Sequence, residues 1–375
     1  MNFTIKEVFT KKDLRRFVHF PNELYKDNQY YVPQIESMDR DTLDPTKNHA
    51  FEVCEGKYWL AYDENGKIVG RVAGIINHRY NEKVGEKMCR FGWIDFIDNQ
   101  DVSRALMDAV EQYAKDNGMN VISGPTGFLE FDAAGILVEG FDKLPTAYGK
   151  YNAPYYESHM LNLGYQKEVD FVEYRIIVPD VIPERYERLA DVVAKKNGLH
   201  EAPIRRHSDI TPYIDGIFKC MNEAYSKLHD FSELTQGQCD DLKKQFLSNV
   251  SVDYLSVILD NDNKVVAFGV GLPSLSVAMQ KAKGKLFPFG FIHILRALKK
   301  NDTLDLLLIA IDEKYQNKGV NAMIFNRFAQ GITKNGIKYI ESTRELEDNT
   351  TVRNLWGRFE HTLHKRARVY QKHVN

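Results

Sequence analysis

The 375-residue chain sets 50 Lys and Arg against 52 Asp and Glu, a net of −2, with 43% apolar and 27% charged residues. That length favours two domains, the composition excludes wholesale disorder, and the balanced charge offers no global basic field for nucleic acid. No apolar run approaches the roughly 18 residues of a membrane span, and the opening MNFTIKEVFT lacks the basic and apolar parts of a secretory leader.

Residues 58–77 (YWLAYDENGKIVGRVAGIIN) read as two apolar strands around Asn65-Gly66, a hairpin signal. Scattered Cys54, Cys89, Cys220 and Cys239 form no CxxC pair, so a reducing cytoplasm and no metal are expected. In 102–117, Val102, Leu106, Val110 and Tyr113 recur at helical spacing, and Asn117-Gly118 stops the helix before a strand at 119–122. The Pro-punctuated VPDVIP at 178–183 ends the first half, and a helix over 184–197, closed by Gly198, bridges to the second.

The second half repeats the first. Residues 254–274 give another hairpin around Asp262-Asn263, and 320–342 (VNAMIFNRFAQGITKNGIKYIES) align without a gap to 102–124 (VSRALMDAVEQYAKDNGMNVISG). Two copies about 200 residues apart imply a duplicated domain, not a solenoid of short repeats; the halves are 1–178 and 179–375. Between hairpin and next strand lies 275–300, mixing Lys281, Lys283, Lys285, Arg296, Lys299 and Lys300 with Phe287, Phe289 and Phe291. Such a segment suits an anionic membrane surface or an acyl chain. The strand at 305–312 (DLLLIAID) runs through the loop EKYQNKGVNA into the 320–334 helix. The tail 361–373 reads as an alternating edge strand with a solvated basic face of Lys365, Arg366 and Arg368.

In the loop Gln316, Asn317, Lys318, Gly319, Val320, Asn321, a glycine before a helix lets backbone N–H groups approach a phosphate, and Lys318 adds positive charge. The repeat sets Asp98, Asp101 and Ser103 opposite Gln316, Gly319 and Asn321. Two carboxylates where a diphosphate would sit, with Asp101 expected to cap its helix, restrict the nucleotide site to the second half.

The order hairpin, apolar strand, Gln-x-x-Gly loop, helix, strand resembles the GCN5-related N-acyltransferases. Stretches such as YKDNQYYVPQ (25–34), GILVEGFDKLP (135–145) and RELEDNTTVRNLW (344–356) are similar to a bacterial tandem-domain group that includes ceramide synthase-like proteins. The resemblance implies an α/β mixed-sheet fold made of two tandem acyl-coenzyme A N-acyltransferase domains, the first degenerate. It implies acyl-coenzyme A as co-substrate, its pyrophosphate on residues 316–321 and its pantetheine along Ile309, Ala310 and Ile311, with Asn349 on the following segment. The acceptor would be a primary amine, a long-chain lipid amine among the candidates, handled in the cytoplasm or at the inner membrane face through 281–300. A non-catalytic acyl-coenzyme A or lipid-binding protein is the alternative. Asn321 stands where the family has Gly or Ala. Trp356 stands seven residues after Asn349, where the family has its tyrosine acid. Tyr225 or Tyr370 would then replace that acid, and Glu341, or less directly Glu347, would serve as base. His229 beside Asp230, and Asn222 with Tyr225, fall on the segment lining the acceptor side.

Overall fold

The computed structural model describes residues 3–226, 231–349, 356–357 and 359–374; His229 and Asp230 lie outside them. The first half runs β1 (Thr4–Glu7), α1 (Lys11–Leu24), α2 (Glu36–Thr42), β2 (Cys54–Tyr62), β3 (Ile68–Asn77), α3 (His78–Val84), β4 (Met88–Phe96), α4 (Gln100–Asp116), β5 (Val121–Gly124), β6 (Ile136–Glu139), α5 (Tyr156–Asn162) and β7 (Gln166–Ile177). The second runs α6 (Arg185–Asn197), β8 (His200–Glu201), α7 (Ile214–Tyr225), α8 (Gln236–Asn249), β9 (Leu255–Leu259), β10 (Val265–Pro273), α9 (Ser276–Ala282), α10 (Gly290–Lys299), β11 (Thr303–Ile311), α11 (Asn321–Asn335), β12 (Tyr339–Ser342), β13 (Glu345–Leu346) and β14 (His361–His373).

The duplication read from sequence is visible element by element. β5 and β12 occupy aligned residues, each starting two positions later than the apolar pattern suggests. The reason is local: Met119 and Ile337 donate their N–H back to Ala114 and Ile332, closing the helix ends before a strand begins. In each copy a hairpin glycine admits the helix. A Cβ on Gly70 would lie 2.7 Å from Leu106, and one on Gly269 would lie 2.4 Å from the aligned Ile324.

All the principal strands share one mixed sheet in the order β1-β2-β3-β4-β5-β14-β7-β12-β11-β10-β9-β8. The two halves exchange their last strands. β14, from the second half, lies between β5 and β7, pairing Tyr370 with Gly124 on one side and Phe171 with Ala367 on the other. β7, from the first half, in turn pairs with β12 through Glu341 and Arg175. The expected solvated edge strand is therefore an interior strand. Its cations are not free: the Arg368 guanidinium donates to both oxygens of buried Asp170 at 2.7 and 3.0 Å, Arg366 reaches Glu139 and Glu347, and Lys365 is buried beside Glu173. Alternation misled because in an interior strand flanked by carboxylates, charged residues can face inward as paired ions.

Two cores pack against opposite halves of one sheet face. Leu106, Val110 and Tyr113 of α4 join Phe91 and Ile122, and Ile324, Phe328 and Ile332 of α11 join Leu304, Leu306 and Val193. The other face of the second half is closed by α7, whose Ile217, Phe218 and Met221 cover Val257, Phe268 and Ala310.

Candidate active site

Parallel pairing between β11 and β12 spans only Thr303–Leu306 against Tyr339–Ser342. Thr343 closes the ladder by donating to the carbonyls of Leu306 and Leu307. Beyond it β11 continues to Ile311 while the chain after β12 turns to pair with β7 as β13. A V-shaped gap results, lined by the backbone of 308–311. A register shift against β10 next to Leu307 accompanies the opening. Leu307, Leu308 and Ile309 are apolar yet only half-buried, unusual for the middle of a sheet.

The first half has the same V and fills it. β4 pairs with β5 over Met88–Arg90 only, but the chain then folds back into the gap, Thr126 donating to the Phe91 carbonyl. Phe128 packs against Trp93 at 5.7 Å between ring centres, and every residue of β4 is buried.

The loops leading into the two helices differ in the same direction. Helix α4 is capped by the Asn99 side chain, which accepts from the N–H groups of Asp101 and Val102. This corrects the expectation that Asp101 is the cap: Asp101 is already helical, whereas Asn99 has the extended backbone a cap requires. His159 occupies the rest of the loop, reaching Asp98 at 3.0 Å and the Ser103 hydroxyl at 3.0 Å. Helix α11 begins with no side-chain cap and no acidic residue in its first turn. Gly319 sits at φ +79 and Asn317 at φ +58, left-handed conformations on either side of Lys318. The Gln316 amide donates to the Ile311 carbonyl, tying the loop to the open strand. The Gln316 and Lys318 N–H groups donate back to the Glu313 and Tyr315 carbonyls, so what 316–321 offers a diphosphate is the start of a helix without a side-chain cap, with Lys318 beside it.

On the α7 side of the V, the Tyr225 hydroxyl donates to the Ile309 carbonyl at 3.0 Å, and burial pushes its pKa up. Glu341 lies beside Asp305 in the β11–β12 register, with its carboxylate 3.0 Å from Arg175 and 3.7 Å from His364. Burial raises the pKa of Glu341 against the opposing pull of Lys365 and Arg175. Asp305 is fully buried with neither oxygen in hydrogen-bond geometry, though the Ser274 hydroxyl lies near. Burial and then Glu341 hold its pKa well above the carboxylate range. Burial and the nearby Lys365 depress His364 to about 3, so it is neutral at physiological pH.

Of the sequence candidates, the structure brings together Ile309, Ala310, Ile311, the 316–321 loop and Tyr225, with Glu341 at the closed end of the same V. Tyr370 is not among them. It is fully buried in the first-half core and donates to Glu157 at 3.1 Å, because the strand exchange carries it into the other copy. Glu347 is committed to Arg366 at 2.5 Å. Asn349 bonds through its N–H to the Leu346 carbonyl. Trp356 is a core residue against Phe325, its indole donating to Glu345 at 2.8 Å. Sequence reasoning missed Asp305, hidden in an apolar strand, and the first-half loop carrying Leu129 and Phe131. That loop packs onto the α7 core, with Phe131 6.3 Å from the Tyr225 ring centre, so one wall of the candidate site comes from the first copy.

No family model matches the chain. It is 28% identical to Protein YghO of Escherichia coli (strain K12), covering 99% of this chain and 95% of that one. It is 25% identical to the bacterial ceramide synthase of Caulobacter vibrioides, covering 99% and 97%. Among solved structures, a tandem GNAT protein from the clavulanic acid biosynthesis pathway superimposes over 100% of this chain and 99% of its own, at TM-score 0.57 and 10% identity. The chain has the tandem GNAT fold. A GCN5-related N-acetyltransferase from Sphaerobacter thermophilus gives TM-score 0.54 at 9% identity, over 99% and 95%. Within the tandem GNAT fold, the second copy keeps the open V and bare helix end that the first has filled.

Proposed function

We propose that the second copy transfers the acyl group of an acyl-coenzyme A to a primary amine, with a long-chain lipid amine as the first acceptor to test. The observation that carries this reading is the asymmetry between the copies: one V plugged and one helix capped, the other V open and its helix bare. In the reaction the amine nitrogen forms a bond to the thioester carbonyl carbon, the carbon–sulfur bond breaks, and one proton leaves nitrogen while the thiolate gains one. Residues 316–321 would hold the diphosphate, and the edge of β11 over 308–311, which no strand covers on the V side, would align the pantetheine. Glu341, with its affinity for protons raised by burial, is the candidate acceptor for the amine proton. Tyr225 already spends its proton on Ile309, so we assign it to positioning that strand. The acceptor class draws on the full-length similarity to the bacterial ceramide synthase. The test pairs short- and long-chain acyl-coenzyme A with a panel of amines including a long-chain base, following thiol release and amide mass. Both products with a lipid amine support the reading.

Trp356 favours a second reading, a non-catalytic acyl-coenzyme A binder, because a buried indole committed to Glu345 stands where the resemblance places a tyrosine acid. Tight coenzyme binding without thiol release for any amine would decide for it.

A further inference from the structure

The helices α9 and α10 and the turn between them present a surface the sheet does not use. Residues 275–301 contain six cations and no carboxylate. All six, Lys281, Lys283, Lys285, Arg296, Lys299 and Lys300, are exposed. The segment is well anchored on its inner side. Leu275, Met279, Leu286 and Ile294 pack with Val32, Ile35, Leu144 and Ala147. The Gln280 amide donates to the carbonyls of Gln29 and Tyr31.

Its outer side is apolar without being covered. Phe287 is 77% exposed, Phe289 70%, Leu295 51% and Val277 51%, with Phe291 beside them and its ring 5.7 Å from that of Phe287. Phe291 and Leu295 are four residues apart on α10, on one face, while Ile294 turns inward. The result is an aromatic tip on a fixed platform with cations around it. At ten residues α10 is about 15 Å long, enough to lie in an interface and too short to cross one.

We infer that this surface docks the protein onto an anionic phospholipid bilayer, the phenylalanines entering the headgroup boundary and the lysines meeting lipid phosphates. Charge complementarity selects this occupant: a partner of mixed charge would leave the six cations without counterparts, whereas a negatively charged leaflet supplies one for each. Docking of this kind is independent of whether the chain transfers acyl groups.

The test is sedimentation of the full-length protein with phosphatidylcholine vesicles, with and without phosphatidylglycerol. Binding is expected to the anionic vesicles alone and to weaken with salt. Phe287→Ser with Phe289→Ser, and separately Lys281→Glu, Lys285→Glu and Lys299→Glu together, should each weaken it by about tenfold or more. These positions are exposed, so thermal melting of the variants should match the parent. As an independent readout, Phe289→Trp should shift its emission to the blue on anionic vesicles, since Trp59, Trp93 and Trp356 are buried away from this surface. Failure of the parent to bind anionic vesicles at low salt would overturn the inference, as would variants that bind like the parent. A dimer that the phenylalanine substitutions dissociate, with no lipid binding, would overturn it in favour of a second copy of the chain.

Discussion

Replacing Gly319 separates charge from backbone strain at the proposed diphosphate loop. Gly319 has φ +79, and a Cβ there would lie 3.2 Å from Val193 Cγ2, so any side chain costs something. Asn and Asp share that cost closely: both tolerate the left-handed region better than other residues and they have the same shape. They differ by one charge. A carboxylate about 5 Å from a phosphate charge is repelled by roughly 1 kcal/mol at the dielectric of water and roughly 3 at an effective value of 20. Gly319→Asp should therefore bind coenzyme A about 5- to 150-fold more weakly than Gly319→Asn, by calorimetry, and added salt should narrow the gap. The Asp variant should melt no lower than the Asn variant, because a carboxylate near the start of uncapped α11 favours the helix. Equal affinity of the two variants would place the coenzyme elsewhere and remove the main support for the proposed reaction.

Tyr225→Phe leaves the half-buried Ile309 carbonyl without this donor; a stability loss of about 0.5–1.5 kcal/mol by denaturant titration is expected, with turnover falling more than coenzyme affinity. Asp305 has its folded pKa raised, so the stability it contributes is complete below the unfolded value of 3.8 and is lost as pH rises towards the folded one. Asp305→Asn should therefore gain melting temperature relative to the parent as pH climbs from 4 to neutrality, and parallel curves would refute this. Arg368→Ala removes two charged hydrogen bonds from the buried Asp170 in the seam between β14 and β7 while Lys167 and Arg366 remain, and should cost about 1.5–3 kcal/mol. Asp170 has a pKa of about 2, burial being outweighed by its hydrogen bonds from Arg368 and Lys167, so its contribution is present above the unfolded 3.8 and lost as pH falls. Asp170→Asn should flatten the parent's acid limb in that window, measured by melting at stepped pH.

Local features were legible because local rules produce them. Gly198, Gly118 and Gly336 end their helices in left-handed conformation, at or just past the cap, as glycines allow. The aligned strands β5 and β12 followed from one ungapped comparison. The loop at 316–321 was readable because a bare glycine before a helix is a chemical statement in itself. What was hidden depends on which strand lies next to which. Tyr370 could not be assigned to a copy from its position, since residues 361–373 belong to the second half by sequence and to the first by packing. Asp305 and Phe131 were invisible for the same reason, each gaining its meaning from a neighbour contributed by a distant stretch.

The exchanged strands also set a clock on biosynthesis. β5 and β7 flank a slot that only β14 fills, and β14 begins 184 residues after β7 ends, from Ile177 to His361. At 5–20 residues per second a ribosome needs about 10 to 40 s to supply it. Throughout that interval the first half holds its hairpins and helices around an open seam with two unsatisfied strand edges, the kind of surface that captures other nascent chains. The second half meets no such delay, since β7 is already made when β12 emerges. The copy with the filled V is thus the one whose completion waits on its partner, and a chain ending before residue 361 would keep the slot between β5 and β7 open.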